Sequence, residues 1–142
     1  MSYLDTKQAL IQKLSGVVIT GITADDISYE NSGFDPTGKA QFLAAYFIPA
    51  TSDIMGKTST SGDEQRGIFQ ITVFVRLNSG VYANQQLQIV DDILSGFVYN
   101  STDVYNGQTV QILESTVNGG SENEAWFKRD VSINYLTFSE RV

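Results

Sequence analysis

Residues Arg66 to Phe97 read RGIFQITVFVRLNSGVYANQQLQIVDDILSGF, and two different periods meet inside that stretch. From Ile68 to Leu77 the residues alternate. Phe69, Ile71, Val73, Val75 and Leu77 fall on one face, and Gln70, Thr72 and Arg76 interrupt the other. A period of two carried by β-branched and aromatic side chains predicts a half-buried strand. After Asn78-Ser79-Gly80 the period lengthens. Ala83, Leu87, Val90, Leu94 and Phe97 step by four and three, with Gln85, Gln88, Asp92 and Ser95 opposite, which predicts an amphipathic helix over about 81–98. A strand followed at once by a helix is the unit on which the rest of the fold is hung.

Upstream, Ser2-Tyr3-Leu4-Asp5 fits a capping box, and Leu4, Leu10, Ile11 and Leu14 predict a first helix that stops at Gly16. Val17–Thr20 and Ile27–Glu30 read as brief strands around a turn at Asp25-Asp26, and 31–38 as a loop dense in turn formers. Phe42 to Ile48 is apolar on both alternating faces, as in a central strand, and Pro49 is expected to end it. A long polar loop is then expected at 51–65, broken only by Ile54-Met55; loops of that length are uncommon unless they serve a function. Downstream, Val110–Val117 and Trp126–Phe138 alternate and are expected to pair as a hairpin through Asn118-Gly119-Gly120-Ser121. Together these elements predict a single α+β domain over 1–142. A mostly antiparallel sheet packs against the N-terminal helix and the one main amphipathic helix.

Composition excludes several classes of function. The 142 residues contain neither cysteine nor histidine, which removes disulfides, thiolate metal sites and most nucleophilic catalysis. Nine Lys and Arg stand against 16 Asp and Glu, a net charge of -7. That balance argues against phosphate-neutralising nucleic-acid binding and against anionic membrane surfaces. No apolar run approaches the roughly 20 residues of a membrane span, and the N-terminus has no signal-like core. No cofactor, metal or membrane partner is expected. Apolar content of 42% and aromatic content of 11% are those of a folded domain.

Three fragments look chemical. Gly56-Lys57-Thr58 resembles the end of a P-loop, but the glycine required five residues earlier is Thr51, so a polar loop is the better account. Carboxylates cluster at Asp25-Asp26, Asp63-Glu64, Asp91-Asp92, and Glu122 with Glu124. Adjacent residues of a strand or helix point apart, so none of these doublets forms a two-carboxylate site locally; solvated acids are the default. No EF-hand spacing is present. Asn100-Ser101-Thr102 fits the glycosylation pattern by chance.

What remains are candidate contact residues. Trp126, the one tryptophan, either packs over the sheet edge or anchors an interface, where Trp is enriched. Arg66 is either a surface cation or one half of an inter-subunit ion pair. Ile89 and Ile93 widen the helix stripe and face either core or neighbour. Ile54, Met55 and Lys57 belong to the long loop. The candidate oligomer or partner interface is therefore Ile54, Met55, Lys57, Arg66, Ile89 and Trp126.

The run Arg66 to Val73, the helix centred on Val90-Asp91-Asp92-Ile93-Leu94, Phe97 at its end and the closing strand Trp126–Tyr135 resemble the tail terminator, or tail completion, proteins of long-tailed bacteriophages. The resemblance is best over the C-terminal half, and the 51–65 loop is longer and more polar than that pattern. It implies an α+β subunit of a hexameric ring, a homo-oligomer that caps the head-proximal end of the tail tube. Such a ring stops tube polymerisation and offers the docking surface for the head connector. Its implied partners are the tail tube protein and the connector or neck protein; its implied location is the virion, after assembly in the host cytoplasm. A net-acidic ring would let DNA slide through rather than bind it. The alternatives are a head–tail joining or neck protein, a tail tube subunit and, more remotely, a small carboxylate-based hydrolase.

Overall fold

A computed structural model describes residues 3–30, 33–54, 62–77 and 84–140, with backbone alone at 53, 54, 62, 123, 139 and 140. In chain order the elements are α1 (Tyr3–Ser15), a 3-10 turn (Ala24–Asp26), β1 (Ile27–Tyr29), β2 (Gln41–Ile54), β3 (Gly62–Arg76) and α2 (Asn84–Gly96). They are followed by β4 (Thr102–Tyr105), β5 (Gln108–Val117), β6 (Ser121–Asn123) and β7 (Trp126–Glu140). The strands form one curled sheet in the order β1-β2-β3-β7-β5-β4, with β6 beside β7. Among the described residues β1–β2 is the one parallel pair, and the other pairs are antiparallel.

The alternation of β3 does what its period demands. Phe69, Ile71 and Val73 are at most 1% exposed, opposite Leu43, Ala45 and Phe47 of β2 and Val131 and Ile133 of β7. Both helices cover this face, and Leu10, Leu14, Ile89, Ile93 and Phe97 join its core. In α1 the buried positions are Thr6, Ala9, Leu10 and Leu14, so the helix is turned away from Leu4, which stays exposed. Gly16 ends it by donating to the carbonyls of Gln12 and Lys13. Ser2, the expected cap, lies outside the described residues.

The structure corrects four expectations. First, Pro49 does not stop β2: the strand runs on to Ile54, and β3 already begins at Gly62. The ends of the expected 51–65 loop are therefore paired strand, Thr51 with Arg66 and Ile54 with Asp63. The register slips at Pro49/Thr51, so the extra residue is absorbed as a bulge. Phe47 turns its N–H outward to the Glu30 carboxylate. Pro49, two residues on, keeps that outward register, where a missing N–H breaks no ladder bond. Second, Val17–Thr20 is not a strand; it crosses α2, with the Thr20 N–H donating to Asp92 at 2.9 Å.

Third, Asn118–Ser121 is not the turn of the last hairpin. Val117 faces Val131 and Ser121 faces Lys128, so the chain keeps running beside β7 with one extra residue. It reverses at Glu124-Ala125, where Glu124 has φ 55°. Gly120 passes directly over Phe127; a Cβ there would lie 2.2 Å from the ring. Fourth, α2 ends at Gly96, and its buried face is Gln86, Ile89, Val90 and Ile93, while Leu87 is 42% exposed. The turn has a polar cause. The Gln86 amide donates to the carbonyls of Val73 at 3.0 Å and Phe127 at 3.1 Å and accepts from Arg129 Nε at 3.1 Å. A fully paired buried amide pins the helix to two strands at once. Residues 81–83, where the helix was expected to begin, lie outside the described residues.

Candidate assembly surfaces

With both helices on one side, the outer face of the sheet carries no layer of secondary structure among the described residues. Its three zones differ in chemistry. Around the start of β7, Phe42 stacks on Phe74 at 4.5 Å and Trp126 stands edge-on to Phe42 at 4.8 Å. Phe34, from the loop before β2, covers Phe42, and the Arg76 guanidinium lies 4.6 Å over the Trp126 ring. Aromatic and cation–π geometry of this kind closes the zone on itself. In the middle, Thr72 donates to Asp130 at 2.8 Å, and Asn134 donates to the Glu114 carbonyl. At the far end Tyr46, Ile48 and Phe138 are 40%, 40% and 54% exposed, next to the half-buried Ile68 and Leu136. Ile48 pairs directly with Ile68, and Leu136 and Phe138 follow on β7, so this apolar surface crosses three strands. An ion pair interrupts it: Arg66 lies opposite Leu136 and Glu64 opposite Phe138, and the two are paired, with the Arg66 side chain 52% exposed against 20% for the glutamate.

The sheet edges are capped by side chains. β1 borders β2 only over 43–45; beyond it the Glu30 carboxylate takes the Phe47 N–H, and Pro49 offers none. On the β4 edge the Gln12 amide donates to the Val104 carbonyl and to both oxygens of Asp103. Edges blunted in this way are poor templates for strand addition.

Three carboxylates are committed to structure. Asp26 accepts from the Thr23 N–H and hydroxyl and from the Lys39 ammonium at 2.7 Å. The Lys39 bond is the main reason its pKa lies below the ordinary value, against an opposing effect of burial. Asp92 is lowered chiefly by the Thr20 N–H, and Asp35 by Thr37. All three shifts run opposite to what a general acid needs. Tyr135 is the group shifted upward: burial holds its phenol well above the usual value. Its hydroxyl and the Gln65 side-chain oxygen are buried without a partner among the described residues. Two shallow clefts flank α1. One is apolar, about 280 Å³, between Leu14, Ile19, Ile22, Ile27 and Tyr29. The other is open, between Gln12, Lys13, Gly16, Val18, Ser95 and Asp103. Neither brings two carboxylates together.

The candidate contact residues are scattered. Arg66 is on the surface, opposite Leu136 within the exposed zone and paired with Glu64. Trp126 is half-buried in the intramolecular aromatic cluster. Ile89 is fully buried under α2, because Gln86 turns that face to the sheet, and is corrected from interface to core. Ile54 closes β2 and is described in backbone only, and Met55 and Lys57 lie outside the described residues. Tyr46 and Phe138, which the alternation places simply on strands, are surface residues.

A family model described as "Phage tail terminator protein" matches residues 5–135. No curated protein sequence matches the chain. One solved chain without a descriptive name is 20% identical, with 96% of both chains covered and a TM-score of 0.71. A chain from the virion of a native gene transfer agent particle is 12% identical over 98% of this chain and 99% of that one, with a TM-score of 0.53. At such identities these two likenesses establish the fold.

Proposed function

We propose that this chain, which belongs to the phage tail terminator family, is the subunit of a ring that caps the head-proximal end of a tail tube. Membership makes it a structural protein of the virion tail. The observation that carries the reading is the family match across 5–135, nearly the whole chain. In this reading six copies close on the last ring of tube protein, stop its polymerisation and present a docking surface to the head connector. Assembly takes place in the host cytoplasm, and the finished ring travels in the virion. The likeness to a chain of the gene transfer agent virion supports a place in such a particle. The bare sheet face supports an assembling subunit, since an uncovered layer is surface left for other chains. A net charge of -7 suits a ring through which DNA passes without sticking.

Electron microscopy of the purified protein mixed with tail tubes tests the reading. A ring on one end of each tube is expected. Rings or monomers that ignore tube ends would reject it and favour a neck or head–tail joining role. Shortening the segment 51–65 should weaken tube attachment while the monomer still folds. Undiminished attachment would remove that segment from the contact. If the lumen acids repel DNA, neutralising them should slow ejection, and unchanged ejection would refute that step.

A further inference from the structure

Two buried polar groups occupy neighbouring positions at one end of the helix face. Tyr135 is 1% exposed and Gln65 6%, and neither the Tyr135 hydroxyl nor the Gln65 Oε1 finds a partner among the described residues. The register sets them together. Gly67 lies opposite Tyr135 and Gln65 opposite Thr137, so Gln65 is the next residue after Gly67 on that face of β3. Gly67 has no side chain, and the tyrosine uses the space: its hydroxyl lies 2.5 Å from where a Gly67 Cβ would stand. Two residues of strand span about 6.6 Å. The Gln65 side chain covers part of that distance, and the remainder matches two hydrogen bonds of about 2.8 Å meeting at one oxygen. The polar groups beside them are already matched. Thr137 donates to the Thr109 carbonyl at 2.6 Å and accepts from the Gln108 amide, which also donates to the Phe138 carbonyl at 2.8 Å.

We infer that Tyr135 and Gln65 together hold one buried water, which bridges β7 to β3 where segment 51–65 meets the core. The chemistry of the pair selects the ligand. One group is a hydroxyl, able to donate and to accept, and the other is an amide oxygen, able only to accept. Both are neutral, since burial holds the phenol protonated, so the pair itself offers no counter-charge to an ion. A further side chain is kept out, because the Ile48 carbonyl, the Tyr135 hydroxyl and its ring crowd the Gly67 position to within 2.8 Å. Water brings two donors and two acceptors in the smallest volume, and buried waters bond to the groups a chain leaves unpaired. Left unpaired, the hydroxyl and the amide would cost stability that phenylalanine and methionine of similar size would not. The bridge does not depend on the tail-end reading.

The test uses the full chain. A high-resolution crystal structure should show one ordered oxygen within about 2.7–3.2 Å of both the Tyr135 hydroxyl and the Gln65 Oε1. A direct bond between the two groups, or no oxygen between them, overturns the inference. Denaturant unfolding of Tyr135→Phe, Gln65→Met and the double variant gives a second reading. Each single variant strips the water of one partner and leaves the other group under-satisfied, so the unfolded fraction should rise about 5–30-fold. The double variant removes both groups, and should lie closer to wild type than the product of the two single effects. Effects that simply multiply would mean that the two side chains share no ligand, and would overturn the bridge. If a variant fails to fold, the wild-type crystal structure decides alone.

Discussion

The two faces of β3 obey different rules. On the helix side Phe69, Ile71 and Val73 are closed off almost completely among apolar side chains, with the paired Gln86 amide as the polar group against Val73. On the outer side Thr72 is buried by its bond to Asp130, Phe74 is stacked on Phe42, and Ile68 is half-open beside Ile48. One face specifies the fold, so any change there is felt as lost stability. The other face is assembled from local pairings, so its residues are free to answer to a second chain. The contrast predicts that equal truncations cost very different amounts on the two sides.

Phe69→Ala should cost most, about 3–5 kcal/mol in denaturant unfolding, because it removes a ring 1% exposed between Phe97 and β7 and leaves a cavity. A loss under about 1 kcal/mol would mean that the face relaxes freely and that the contrast is false. Gly67→Ala should follow, at about 1–3 kcal/mol, by overpacking. A Cβ at that position would lie 2.5 Å from the Ile48 carbonyl oxygen and 2.5 Å from the Tyr135 hydroxyl. Unlike the end of a flexible side chain, the Ile48 oxygen is held by the β2–β3 ladder. An unchanged unfolding midpoint would show that β2 and Tyr135 can part at the bulge.

The same contrast explains what the sequence could disclose. The helix face of β3 was legible because strict alternation is a local signal, and the closing strand was legible for the same reason. The rotation of α2 was not. Leu87 and Leu94 looked like core by spacing, but Gln86 finds three partners on β3 and β7, residues that lie far from it in the chain, and turns the helix toward them. The path of β2 past Pro49 depends on which strand lies on its open side, and one proline cannot report that in advance. Likewise Asn118-Gly119-Gly120 has the composition of a turn, and only the Phe127 ring beneath it explains why glycine is needed there. Of the candidate surface, Arg66 was visible as an exposed cation. Tyr46 and Phe138 were not, because exposure on an outer face is decided by what the fold leaves uncovered.

A smaller effect sits where the loop before β2 is tied to the 3-10 turn. The folded pKa of Asp26 is lowered from 3.8, so its ionised pairing with Lys39 stabilises the fold above that value. The contribution is lost as pH falls through the lower, folded value. Asp26→Asn should therefore cost about 0.2–1 kcal/mol at neutral pH, as partly exposed pairs do. The difference from wild type should vanish in strong acid. Stability curves of the two proteins that run parallel from pH 7 to pH 2 would deny the ion pair any part in holding that loop.

The smallest expected change in stability is also the sharpest probe of the two faces. Ile48→Ser removes an aliphatic side chain from the same strand that supplies Leu43 and Ala45 to the core, but from the outer side, where it is 40% open. Its cross-strand partner Ile68 stays in place, and Phe47 still holds the helix side against Tyr135 at 5.6 Å. Unfolding should shift by no more than about 0.5 kcal/mol, within the range of surface substitutions. If the bare face meets other chains, the same substitution should weaken assembly on tube ends while the isolated subunit melts as before. A large loss of stability with unchanged assembly would invert the assignment, making the outer face part of the core that folds the chain rather than surface kept for a neighbour.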